Sequence, residues 1–289
     1  MAAKFAWIAV PLVLGGLVLA APPAKKGPKP PSKEEAAANV QSPKVKILGK
    51  NLIPNGDFEK GDKSPRGWQT IDGLTTFWVK DKDPGHGKVI KFDTDVLQSQ
   101  AYQWWPKIAL GKATAKDAPR KEKTVEPKYD TIAGNDGVWF WSDPVPIEKG
   151  KAYWLTIDVK GPPILVWLVG YPKKQSTAFG ADNGAFQDVL KEFVTGKPVE
   201  KKRGFKGFIH KYVWKGQLAA GGSSEWKTYS RRAKPFRPTA VTPNVKYVRV
   251  MIYPFWPPGE YYVDNVRLVE VEDNGVDRPK GGKDKDDDD

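Results

Sequence analysis

The chain has 289 residues, a formal net charge of +13, two His and no Cys. Without Cys there are neither disulfides nor thiolate metal sites, and His86 and His210 alone leave little from which to build a zinc centre or a His-based triad. The basic balance points to acidic glycans, anionic lipid or envelope polymer rather than nucleic acid, and a well-solvated surface is the simpler account of it.

Residues 1–20 read as an export signal. Lys4 supplies the positive start, Phe5 to Leu19 an apolar run, and Val18-Leu19-Ala20 the cleavage positions. The run is at the short end for a membrane span, which needs about 20 apolar residues; a retained single anchor is the alternative. Residues 21–50 are rich in Pro and Lys, with Pro22-Pro23 and Pro30-Pro31, and read as an extended linker. The region 51–272 reads as one domain. The tail 273–289 ends in Asp286 to Asp289 and has the composition of a disordered segment.

Inside the domain, strands alternate with turns. Thr75 to Val79 and Lys88 to Phe92 flank the turn cluster Asp83-Pro84-Gly85-His86-Gly87. Val138 to Trp141 and Pro144 to Glu148 follow. From Ala152 to Lys160, the set Tyr153, Leu155, Ile157 and Val159 alternates with Trp154, Thr156, Asp158 and Lys160, which is the period of a half-buried strand. Ile164 to Tyr171 is apolar throughout, as in a central strand, and Val245 to Tyr253 alternates again. Two stretches, 101–135 and 172–224, are long for loops. The second holds a helix signal, with Phe186, Val189, Leu190, Phe193 and Val194 on one stripe, Asp182 or Asn183 as its cap and Gly196 at its end.

The two ends of the domain carry a resemblance. Asn51-Leu52-Ile53-Pro54-Asn55-Gly56-Asp57-Phe58-Glu59 with Gly67-Trp68, and Glu260-Tyr261-Tyr262-Val263-Asp264-Asn265-Val266-Arg267-Leu268-Val269-Glu270-Val271, are similar to the first and last strands of the galactose-binding-like β-sandwich. Pro146 to Leu155 and Glu225 to Tyr229 look like its middle and later strands. The likeness is to family 4/9/22-type carbohydrate-binding modules in particular. It implies an all-β jelly-roll sandwich, from whose pattern 101–135 and 172–224 depart as two long loop insertions, the second containing a short helix. It also implies a structural calcium between the terminal strands, on Glu59 and Asp264 with help from Asp57; the bland alternative for Asp264 is a turn cap or a Lys pair.

The chain has 12 Trp, 10 Tyr and 12 Phe. Flat indoles stack on the apolar C–H faces of sugar rings while polar groups hold the hydroxyls. Trp68, Trp154, Trp167 and Trp226 sit at strand positions suited to the core. Trp104, Trp105, Trp139, Trp141, Trp214 and Trp256 are the candidates for exposure and for ligand, and each has packing as its ordinary role. Arg231 and Arg232, with Lys201-Lys202-Arg203 nearby in kind, would suit an anionic polysaccharide through forked donors; a solvated face is the ordinary role of such clusters. There is no Gly-x-Ser-x-Gly and no phosphate loop. The expectation is therefore an exported, non-catalytic polysaccharide-binding domain. A surface protein that binds envelope proteins, and a glycan hydrolase or lyase, are the alternatives.

Overall fold

The computed structural model describes residues 45–181, 184–198, 212–218, 222–230 and 235–273. The expected signal, the linker up to residue 44, the tail beyond Asp273, the caps Asp182 and Asn183, and the basic residues Lys201 to Arg203, Arg231 and Arg232 lie outside them. Among the described residues, no helix is long and apolar enough to cross a membrane.

Among the described residues ten strands form: β1 (Thr76–Lys80), β2 (Lys88–Asp93), β3 (Phe140–Trp141), β4 (Val145–Pro146), β5 (Ala152–Gly161), β6 (Ile164–Tyr171), β7 (Tyr212–Leu218), β8 (Ser223–Ser230), β9 (Tyr247–Tyr253) and β10 (Glu260–Val271). They make two five-stranded sheets. The first has the order β1-β2-β10-β5-β8; the second has β3-β9-β6-β7, with β4 also on β9. All of these pairings are antiparallel. One continuous core lies between the sheets. Leu155, Ile157, Val263 and Leu268 of the first sheet join Val166, Leu168, Val250 and Ile252 of the second in it. This is the expected β-sandwich, and the period-two strands are the reason: each lays its apolar set on the inner face.

The two sheets differ on their outer faces. In the second, Trp141, Val169, Arg249 and Met251 point outward and are still buried. A segment after β6 covers them, where Ser176 O accepts Arg249 Nη1 at 3.2 Å. Helices α1 (Gln98–Ala109) and α2 (Gly184–Thr195) add Trp105 and Phe186 to an aromatic cluster with Trp139 and Phe179. Strands β6 and β9 are thus covered on both faces, which suits their near-continuous apolar sequences. In the first sheet the outward positions Phe77, Lys91, Tyr262 and Lys160 are half-buried and lie in one cross-strand row.

Three expectations need correction. Residues 51–59 do not form a strand. Asn51 replaces the ladder with its side chain, donating to Val266 O at 3.0 Å and accepting from Leu268 N at 2.9 Å. Pro54 then lacks a donor, and Asn55 takes a positive φ of 49°, so the chain turns. The first segment does lie beside the last strand, through Leu52 N to Leu268 O at 2.8 Å. Residues 172–224 are not one loop insertion: they contain α2 and also β7, a full member of the second sheet. Residues 101–135 likewise open with most of α1. In α2, Phe186 is buried, whereas Phe193 and Val194 are exposed, so the apolar stripe is seated at its start and not at its end. Gly196 follows the helix with a φ of +64°, as a C-terminal Gly does.

Candidate functional site

The expected ligand-binding tryptophans separate by burial. Trp104, Trp105, Trp139 and Trp141 are 4%, 1%, 3% and 6% exposed. The expectation that they face solvent is corrected: they are core. Trp104 and Trp105 fall on α1, and both indoles reach the buried Asp72. Trp104 Nε1 donates to its main-chain oxygen at 2.7 Å and Trp105 Nε1 to its Oδ2 at 2.9 Å. The spacing Ala101, Trp104, Trp105, Ile108 carries the helical signal that betrays this burial, and Pro106 in its middle obscures it. Trp141 lies under Arg249, whose guanidinium is 4.9 Å from its ring centre. Trp214 falls on β7, and its backbone pairs with Leu168.

Trp256 is different. It is 41% exposed, and Tyr129 beside it is 69% exposed. The two rings lie nearly parallel, 18° apart, with centres 6.0 Å apart. Trp256 comes from the β9–β10 loop, where Pro254, Pro257 and Pro258 restrict the backbone. That loop is tied down at several points. Tyr261 Oη donates to Pro257 O at 2.5 Å, Thr94 N to Gly259 O at 3.0 Å, and Val138 N to Pro254 O at 2.9 Å. Tyr129 comes from the stretch between α1 and β3. Its carbonyl accepts Asn135 Nδ2 at 3.0 Å. The preceding Lys128 donates to Asp95 Oδ2 at 3.2 Å, and Thr124 Oγ1 to Asp95 Oδ1 at 2.7 Å. The sequence singled out Trp256 and missed Tyr129, because nothing local says that two loops more than a hundred residues apart meet.

A second aromatic surface lies on the outer face of the first sheet. Trp226, expected in the core, is half-buried there. His86 stacks on it with centres 4.0 Å apart, and Lys160 Nζ lies 4.8 Å from the same ring. Lys160 is also 4.9 Å from the centre of the Tyr262 ring, and Lys91 is 5.4 Å from that of Phe77. Asp81 accepts Lys160 Nζ at 2.7 Å. Burial pushes the Asp81 carboxyl up, but the Lys160 ammonium and the Asp83 N–H outweigh it and hold the group below the usual carboxylate range. The rings of this face thus already have partners within the protein.

The residues expected to bind calcium differ in burial. Asp57 and Glu59 are exposed, while Asp264 is buried. Glu59 Oε1 accepts the Lys88 N–H at 2.7 Å. Asp264 Oδ2 lies 2.8 Å from His86 Nδ1, and Oδ1 accepts the Asn265 N–H at 2.7 Å. Among the described residues, no group of three His, Asp or Glu could hold a metal ion, whereas calcium takes about six to eight oxygens.

No family model matches the sequence, and no curated protein matches it. Solved structures do resemble it. The enzymatically active domain of tailspike protein 4 from bacteriophage CBA120 aligns at 10% identity and a TM-score of 0.39, over 76% of this chain and 21% of that one. This chain therefore spans about a fifth of that protein's length. A family 11 carbohydrate-binding module of a cellulosomal cellulase from Clostridium thermocellum aligns at 12% identity and a TM-score of 0.33, over 78% of this chain and 96% of that one. A cleaved adhesin domain of Lys-gingipain from Porphyromonas gingivalis aligns at 10% identity and a TM-score of 0.32, over 78% and 98%. Carbohydrate-binding modules thus stand among the structures that the chain resembles, and no residue assignment is transferred from them.

Proposed function

We propose that this chain is a non-catalytic carbohydrate-binding protein and that its glycan lies on the Trp256–Tyr129 pair. The observation that carries this reading is the pair itself: two exposed, nearly parallel aromatic rings on loops that are fastened to the sandwich. Large aromatic surface is costly to leave in water, and a flat ring pair fits the C–H face of a pyranose. Fastened loops lower the ordering cost of binding. The leader-like residues 1–20 and the basic composition agree with an exported protein that meets polysaccharide outside the cell.

Burial argues for binding over catalysis. Glycoside cleavage needs two accessible carboxyl groups across a groove. Asp158 and Asp264 are cross-strand partners on β5 and β10, but Asp264 is 2% exposed and both of its oxygens are engaged. No sugar oxygen reaches it.

The test is a titration of the full chain against a polysaccharide panel, with Trp256→Ala and Tyr129→Ala alongside. Each variant is expected to weaken binding by about tenfold, the equivalent of one stacking contact of about 1.4 kcal/mol. Unchanged affinity in both would remove the glycan from this surface, and binding to envelope proteins but to no glycan would favour the surface-protein alternative.

A further inference from the structure

We infer that the adjoining ends of α1 and α2 form a docking surface for an anionic lipid bilayer. It stands apart from the glycan reading, which uses other residues. The first observation is an apolar stripe that overruns its support. On α2, Phe186 packs on Trp105 with ring centres 6.1 Å apart, and Val189 and Leu190 are half-buried against the core. Phe193 and Val194, one turn on, are 41% and 61% exposed. These positions recur at the three- and four-residue spacing of one helix face, so the face that seats the start of α2 continues into solvent at its end. Leu110, which closes α1, is 39% exposed. Lys112 Nζ, two residues later, lies 6.0 Å from the centre of the Phe193 ring. The two helix ends therefore meet, and three of the nine large apolar side chains exposed among the described residues stand there. Such residues are ordinary singly; gathered, they mark a contact.

The charge around the patch says what covers it. Between Asp95 and Asp117 the sequence has no carboxylate, and Lys107, Lys112 and Lys116 fall in that interval. All three are exposed, as is Lys197 just past α2. Among the described residues, none of these four takes part in an ion pair. Asp117 Oδ2 accepts the Thr114 N–H at 2.8 Å, and Asp188 lies 3.7 Å from Lys191. Glu192 is the one further carboxylate of residues 107–117 and 184–198. The balance is basic, and it belongs to the same helix ends as the apolar side chains.

This chemistry suits a bilayer better than a protein or a sugar. Lys is depleted from the centres of protein interfaces, and Leu and Val offer no flat face to a sugar ring. At a membrane surface, Phe, Leu and Val enter the acyl boundary while lysines on long stems reach the phosphate headgroups.

The experiment uses the absence of Cys. Val194→Cys gives the full chain a single thiol for an environment-sensitive fluorophore, and Val241→Cys, also 61% exposed in the wild type, gives a control position on another segment. Each labelled protein is titrated with vesicles of phosphatidylcholine, and of phosphatidylcholine and phosphatidylglycerol in equal parts. The expected result is a blue-shifted, brightened label at position 194 with the anionic vesicles alone, and no change at position 241. Adding Lys107→Glu and Lys112→Glu should weaken that response by at least about tenfold, and about 1 M NaCl should weaken it too. A label at 194 that responds alike to both kinds of vesicle, or no more than the label at 241, would overturn the inference, since another part of the chain would then make the contact. A response that needs no lipid and grows with protein concentration would assign the patch to a second copy of the chain instead. No response at all would leave the patch without a membrane role and overturn it equally.

Discussion

Asp264 shows how much one residue's meaning depends on its partner. On sequence it stands for a calcium ligand. In the fold its Oδ2 faces His86 Nδ1 at 2.8 Å, and burial raises its pKa from 3.8 to about 6 despite that neighbour and the Asn265 N–H. A carboxyl whose folded pKa is raised favours folding when protonated. Its contribution is full below the unfolded value near 3.8 and is lost as pH rises through about 6. Over that window the change is on the order of 3 kcal/mol. Asp264→Asn should remove it, so that the stability of the wild type minus that of the variant falls between pH 4 and pH 7 in denaturant titrations; a flat difference would refute the assignment. His86→Ala should act in the same window with a distinct signature. It leaves a buried carboxylate without its partner, at a cost of about 3 kcal/mol at pH 7 that shrinks towards pH 5 as the carboxyl protonates. The partner itself was not legible, since His86 and Asp264 are 178 positions apart.

At the scale of elements, legibility followed periodicity. The bounds of β6 and β10 match the sequence pattern, because their alternation or unbroken apolarity extends over eight and twelve residues. α1 was lost to Pro106, and 51–59 was misread because a side chain can stand in for a ladder. The loop that carries Tyr129 has its own internal constraint. A Cβ on Gly134 would stand 2.6 Å from Tyr129 O, well inside contact distance. Gly134→Ala should therefore shift Tyr129 at a cost of about 1–3 kcal/mol. The expected outcome is weaker glycan binding than in the wild type, with far-ultraviolet circular dichroism unchanged. Wild-type affinity in that variant would show that the position of Tyr129 does not matter.

For the whole molecule, the core between the two sheets is the main source of stability. Arg249, Trp141 and Met251 are buried on the outer side of the second sheet as well, so that face contributes too. Since Glu59 and Asp264 already accept hydrogen bonds from Lys88 N–H and Asn265 N–H, chelation with EDTA should leave the midpoint of thermal unfolding unchanged, as should added calcium; a rise of several degrees with calcium would restore the calcium expectation for Asp57, Glu59 and Asp264. The sequence alone determined that the domain is built mainly of strands and that these lay their apolar sides on one core, because a period of two is a local property written every second residue; that its last strand lies beside its first segment was implied only by the family resemblance. It could not determine which tryptophans face water. Trp105 and Trp256 are the same side chain in similarly polar, Pro-containing surroundings, and one is 1% exposed while the other is 41% exposed. That difference arises from what folds over each: Asp72 and the aromatic cluster close over Trp105, whereas Trp256 meets Tyr129 from a distant loop and stays open to solvent, a long-range outcome that only the tertiary structure decides.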